Sequence, residues 1–250
     1  MVVKLTKALN HLAGFGVLLT SAAVSAEAMK SHDNSALCRN SFDYAIYFSG
    51  IRTGSMQRYE TFDGHQGSVE SYSRASILGI GTKYHQKAQF VYRNNIFLTQ
   101  TFHQKVSGFR SRDMLVSFSE SGLQSEVNLN GELTSYDNPA EPLRDMDTLS
   151  LQLREWVKQG LSSFTLTRQA SDGPEPYQYQ VMASQRMTVE PWGELEVIQV
   201  EQTGAETVTY WFSPKLDYQL VKATYHGFLF NGGLELKFMT LGCEETESSI

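Results

Sequence analysis

The chain has 250 residues, 41% hydrophobic and 19% charged, a balance that excludes a disordered polymer, a collagen and a polytopic membrane protein. Its 21 lysines and arginines are outnumbered by 27 aspartates and glutamates. The net charge of -6 disfavours electrostatic capture of nucleic acid, and no basic tract reverses it.

Lys4 and Lys7 precede an apolar stretch from Ala8 to Ala23 that is too short and too interrupted to span a bilayer. Small residues follow, and either Val24-Ser25-Ala26 or Ala26-Glu27-Ala28 meets the small-x-small rule of a secretory signal peptide. Residues 1–26 are therefore read as a signal peptide cut after Ala26, and 27–41 as an N-terminal extension. A lipid anchor would require Cys directly after the cut, and Cys38 lies too far on. Losing Lys4 and Lys7 with no acid takes the net charge from -6 to -8. The expected mature chain is acidic, periplasmic and without a transmembrane segment. Cys38 and Cys243 are its two cysteines, and an even count in an oxidising compartment predicts a Cys38–Cys243 disulfide. They have no CxxC spacing, and structural zinc needs more than two ligands.

From Phe42 onward the apolar period is two, as in Phe42, Tyr44, Ile46 and Phe48, which predicts a strand with one apolar face. Similar segments recur around 51–62, 67–76, 83–93, 96–109, 112–119 and 123–129. Asp63-Gly64, Asn94-Asn95 and Asn130-Gly131 supply the positive φ values of tight hairpins, so this half reads as an antiparallel meander. All six prolines lie at or beyond Pro139, so nothing before it forbids long strands. After the stiff loop Asn138-Pro139-Ala140-Glu141-Pro142 the period changes. Leu149, Leu153, Trp156 and Val157 mark one face of a helix at about 147–159, with Asp145 or Asp147 as cap and Gly160 as its left-handed end. Its polar face, with Gln152, Glu155 and Gln159, is expected in water, and its apolar face against a sheet. Strands resume at about 163–170, 176–190, 194–202, 206–213, 217–226 and 233–241. Residues 42–243 thus read as one antiparallel β domain, all-β with a single helix, and 244–250 as a disordered tail.

Several landmarks together resemble the bacterial exported domain-of-unknown-function family 3108. They are Phe42-Asp43-Tyr44 with Gly50 and Gly54, Asp147-Thr148-Leu149-Ser150 continuing to Leu153-Arg154, and Trp192-Gly193-Glu194-Leu195-Glu196-Val197. The last is Tyr210-Trp211-Phe212-Ser213-Pro214 leading to Asp217-Tyr218-Gln219-Leu220-Val221-Lys222. The resemblance covers nearly the whole mature chain, and order and spacing carry it. Gln219-Leu220-Val221 departs from the family's usual Leu-Pro-Val. The final hairpins are also similar to those of periplasmic lipoprotein carriers. The pattern along the chain counts about a dozen strands, and the likeness implies that they form a single strongly curved sheet or half barrel with the helix on its concave face. The family brings no activity or catalytic residues.

Chemistry is sparse. His32, His65, His85, His103 and His226 show no metal-ligand spacing, and GxSxG and SxxK are absent. His85-Gln86-Lys87 and His103-Gln104-Lys105 repeat a tripeptide on neighbouring predicted strands, best read as chance or as a polar outer face. Gly79-Ile80-Gly81 lacks the further glycine and helix of a dinucleotide site and reads as a turn. Asp145 and Asp147 are explained by a helix start. No catalytic residue, metal or cofactor is expected, and no protein partner is named by the sequence. The unusual feature is 12% aromatic content, much of it in strands. A curved sheet has more concave surface than one helix covers, so some rings are expected to line a pocket for an apolar ligand such as a lipid, with Trp156 and Trp211 as candidates. The alternative is an envelope interaction or structural protein with a filled core.

Overall fold

The computed structural model describes residues 36–77, 80–108, 111–228 and 231–244. The signal peptide, most of the extension and all but Glu244 of the tail lie outside the described residues. The first half is a meander of β1 (Leu37–Phe48), β2 (Ile51–Phe62), β3 (Gln66–Ile77), β4 (Ile80–Arg93), β5 (Ile96–Gly108), β6 (Arg112–Phe118), β7 (Gln124–Leu129) and β8 (Glu132–Asp137). Asn94-Asn95 and Asn130-Gly131 make its tight turns with positive φ at both positions, as their side chains allow. Then come β9 (Leu143–Arg144) and the helix α1 (Met146–Lys158). The second half is β10 (Ser163–Gln169), β11 (Pro174–Val189), β12 (Gly193–Gly204), β13 (Val208–Ser213), β14 (Gln219–His226), β15 (Asn231–Thr240) and β16 (Cys243–Glu244).

All belong to one sheet. Its order runs β8 to β1, then β15 down to β9, with β16 beside β1, so the two meanders meet along β1–β15. Among the described residues every pairing is antiparallel except β9 with β10. The sixteen strands of the described residues exceed the dozen expected, and the reason is local. In β8 all residues but Tyr136 are exposed, which removes the alternation that marks a strand, while β9 and β16 are two residues each. β1 also begins at Leu37, five residues before Phe42, because β2 and β16 both pair with that end.

Connectivity dictates curvature. Laid flat, the fifteen strands of the main path would put β8 and β9 about 65 Å apart at normal strand spacing. Residues 138–142 alone join them, a reach of at most about 20 Å. The sheet therefore curls until its edges face one another, without the edges pairing. Leu143 N donates to Gly122 O at 2.8 Å, and Arg144 Nε to Phe97 O at 3.0 Å, which fastens β9 across the interior.

α1 fills that interior. Asp145 caps it, accepting from Asp147 N at 2.7 Å and Thr148 N at 3.2 Å, and Gly160 ends it with φ of 77°. Leu149, Leu153 and Val157 pack on Leu166, Tyr177, Tyr179, Val200 and Phe212. Leu151 points to the other half and joins Val69, Phe90, Phe102 and Val116. The helix is therefore wetted less than its pattern suggests. Gln152, expected in water, is fully buried, because its amide accepts from Phe97 N at 2.7 Å and donates to Asn95 O at 3.2 Å. A third cluster packs Val189, Leu195 and Val197 on Phe42, Val221 and Leu236.

The first and last described strands are joined by the expected disulfide. Cys38 and Cys243 sit opposite one another in the β1–β16 ladder, with Cα atoms 3.9 Å apart.

Candidate functional site

Between α1 and the curled sheet lies a cavity of about 240 Å³. Leu149, Leu153, Phe212, Leu220 and Leu234 give it a mainly carbon wall, to which Ala223 of β14 adds its methyl group. Tyr210 and Phe212 alternate with Trp211 on β13, so the strand's period of two sends Trp211 to the other face.

Neither candidate tryptophan lines the cavity. Trp156 stands near the C-terminal end of α1, edge-on to Phe164 with ring centroids 5.0 Å apart. Trp211 packs with the third cluster, Lys222 Nζ lies 6.0 Å from its ring, and its buried indole N–H has no hydrogen-bond partner among the described residues. The aromatic lining comes instead from Tyr44, Tyr177, Tyr210 and Phe212.

Two charged groups line the cavity beside that carbon, one around Arg58 and one around Arg168. β2 places Arg58 and Glu60 on its inner face by the same alternation, and α1 brings Asp147, Ser150 and Arg154 to them. Arg58 donates to Glu60 Oε1 at 2.8 Å, to Asp147 Oδ1 at 2.5 Å and to Ser150 Oγ at 2.9 Å. Arg154 donates to Glu60 Oε2 at 2.9 Å and to Gln219 Oε1 at 2.5 Å. Gln219 Nε2 in turn donates to Tyr44 Oη at 2.7 Å, and Tyr44 Oη to Leu220 O at 3.2 Å. Removing such charges from water is costly, and these are retained by pairing and hydrogen bonding.

Titration follows from that geometry. Burial would lower the Arg58 pKa, but Glu60 and Asp147 outweigh it and hold the guanidinium charged beyond its usual range. Burial would raise Glu60, yet Arg154 and Arg58 bring it below the ordinary glutamate value. Asp147 is pushed up to about 6 by burial, against Arg58 and with the help of Asp145. Asp145 is also raised by burial, opposed by its hydrogen bonds to Thr148 and Thr99. Burial pushes the Tyr44 phenol up to about 12.

A second polar group lies on the second meander. Arg168 donates to Glu175 Oε2 at 2.5 Å, approaches Glu206 at 3.5 Å and sits over the Tyr177 ring at 5.4 Å. These residues were not singled out by the sequence, where Arg58, Glu60 and Arg168 read as ordinary strand charges. The one local signal was their place in the period, on the inner rather than the outer face.

The repeated tripeptide has a simple geometry. β4 and β5 pair it against itself, with His85 opposite Lys105, Gln86 opposite Gln104 and Lys87 opposite His103. The histidines and lysines take the outer face, as expected, and the two glutamines turn inward, where they are nearly buried. Among the described residues no cluster of His, Cys, Asp and Glu suits a metal ion, and no helix is long and apolar enough to cross a membrane.

No curated protein matches the chain. A solved structure from Brucella abortus, a β-barrel-like protein of the domain of unknown function DUF1849, is similar in fold at a TM-score of 0.55 and 9% identity. The likeness covers 84% of this chain and 99% of that one, and it bears on fold alone. A sequence model described as "Protein of unknown function (DUF3108)" matches residues 43–234, and with three quarters of its length inside that match, with the curled sheet and central helix it spans, the chain belongs to the DUF3108 family.

Proposed function

We propose that this protein is an exported envelope protein that binds, and does not chemically change, an apolar ligand such as an acyl chain in the cavity between α1 and the sheet. The observation that carries the reading is the cavity itself, about 240 Å³ with a mainly carbon wall, in a fold whose helix otherwise packs tightly. An engineered apolar cavity of ~150 Å³ takes up benzene, so this one has room for a somewhat larger apolar group. It suits one chain and not the two chains of a diacyl lipid. Binding is preferred to catalysis because Arg58, Glu60 and Arg154 are committed to one another. Asp147, which lines the cavity, is held by Arg58 through Oδ1 and has no partner for Oδ2 among the described residues, and it is the residue on which a catalytic alternative would rest. The export reading rests on the signal-peptide pattern of residues 1–26, and the Cys38–Cys243 disulfide suits an oxidising compartment.

The test is twofold. Native mass spectrometry of protein recovered from the envelope of its own cell is expected to show a co-purifying single-chain adduct. The neutral probe N-phenyl-1-naphthylamine is expected to gain fluorescence on binding and to be displaced by octanol. Absence of both would leave the cavity as a packing defect and favour the envelope interaction protein.

A further inference from the structure

The outer face of the first meander, from which Ser55, Arg74 and Lys83 project, carries a second concavity; its lining touches Tyr44 and Met56, which also line the cavity, but the inference rests on the outward side chains and not on the cavity reading. It has a volume of about 940 Å³ and crosses β1 to β5 and β15. Five cationic side chains line it, Arg52, Arg74, Lys83, Lys105 and Lys237, against one carboxylate, Asp43. That excess stands out in a chain whose net charge is -6.

Register explains how the cations are held. Ser55 of β2 lies opposite Arg74 of β3, Arg74 opposite Lys83 of β4, and Lys83 opposite Ser107 of β5. One cross-strand row therefore presents hydroxyl, guanidinium, ammonium and hydroxyl on a single face. Residues directly opposite have Cβ atoms about 5 Å apart, and like charges so placed destabilise a sheet. Neither Arg74 nor Lys83, nor Arg52 beside them, has an ion-pair partner among the described residues. Lys105 and Lys237, by contrast, are answered by Asp113 at 3.8 Å and Glu235 at 3.0 Å. The adjacent row is aromatic, with Tyr72 stacked on His85 at 4.4 Å and Glu70 accepting from both at 2.7 and 2.8 Å.

We propose that this groove is a binding site for a phosphate-bearing ligand, with Arg74 and Lys83 together gripping the phosphate. A guanidinium fork matches two phosphate oxygens and an ammonium serves as a point charge for a third. An anion bridging the pair removes their mutual repulsion, and Ser55 and Ser107 flank it as further donors. The volume exceeds what one phosphate fills, and the Tyr72 and His85 rings offer a stacking surface for an organic remainder.

The test is titration calorimetry of the full mature chain with inorganic pyrophosphate at low salt, and co-sedimentation with vesicles of phosphatidylglycerol or of phosphatidylcholine. Binding of pyrophosphate is expected, weakened at least tenfold in the double variant Arg74→Gln/Lys83→Gln and unchanged in Lys215→Gln, an exposed lysine outside the groove. The double variant is expected to melt no lower than the parent, since it loses a like-charge pair, and this shows that it folds. Pyrophosphate binding without vesicle binding assigns the site to a free phosphate ester; sedimentation with phosphatidylglycerol alone, lost in the double variant, assigns it to a lipid headgroup. Binding to neither probe, or equal binding by parent and double variant, overturns the proposal.

Discussion

Arg58 shows how a single residue holds the candidate site. Its side chain is almost fully buried and is the shared partner of two buried carboxylates, Glu60 and Asp147. Truncating Arg58 leaves Asp147 buried without its cation and Glu60 with Arg154 alone, which is much worse than replacing the whole network. Arg58→Met is therefore expected to destabilise the fold by about 3–5 kcal/mol, measured by urea unfolding. The carboxylates give a pH signature with two opposed parts. Asp147 titrates at about 6 when folded, against an ordinary value near 4, so between those values the folded state binds the proton more tightly than the unfolded chain. Its contribution to stability grows as pH falls through that window and is lost as pH rises through about 6; Asp145, raised by burial, acts in the same sense. Glu60 is lowered, so its stabilisation is present above the ordinary glutamate range and is lost as pH falls below it. The melting temperature is expected to rise from pH 7 to about 5 and to fall below about 4. Asp147→Asn should shrink the rise and keep the acid-side fall; a melting temperature that declines steadily from pH 7 would contradict this assignment.

At the scale of elements, α1 acts as a plug between two core clusters, and its residues are not equal. Leu153 is 2% exposed, so Leu153→Ala is expected to cost about 2–5 kcal/mol. Trp156 is only partly buried beside Phe164, and Trp156→Ala is expected to cost less than the leucine change despite the larger side chain. Denaturation midpoints of the two variants decide this, and the reverse order would mean that Trp156 contributes more to the cluster it shares with Leu153 than its partial exposure implies. The helix, the tight turns and most strands were legible because each depends on neighbours a few positions away: the period of Leu149, Leu153 and Val157, the positive φ tolerated by Asn94, Asn95 and Asn130. What could not be read depends on distant partners. Arg58 meets Asp147 across 89 residues and Arg154 meets Glu60 across 94, and the burial of Gln152 is settled by backbone groups of a different hairpin. Trp156 and Trp211 were attractive as pocket lining for their size, but lining is decided by which side of a strand or helix faces the gap. β8 was hidden for a related reason: an edge strand with little buried surface carries no alternating pattern, and its polar residues protect the open edge from further pairing.

For the whole molecule, the curl that brings β8 and β9 together leaves more inner surface than thirteen helical residues cover, and the cavity follows from that mismatch. An unfilled space forfeits contacts on every side chain that lines it, so the fold is less stable than a filled version would be. If the space is kept for a ligand, stability and binding should move in opposite directions when it is filled. Ala223 of β14 lines the cavity, with Tyr210 and Leu234 as its cross-strand partners. Ala223→Leu is expected to raise the melting temperature by a few degrees, since about 1 kcal/mol shifts a chain of this size by ~2–4 °C. The same change should abolish the fluorescence gain of N-phenyl-1-naphthylamine and reduce any co-purifying adduct. A variant that is stabilised yet binds the probe as well as the parent would place the apolar site elsewhere. A variant that is destabilised would show that the cavity walls are rigid and the leucine strained, and Ala223→Val, with its smaller demand, should then still give the stabilisation and the loss of binding together.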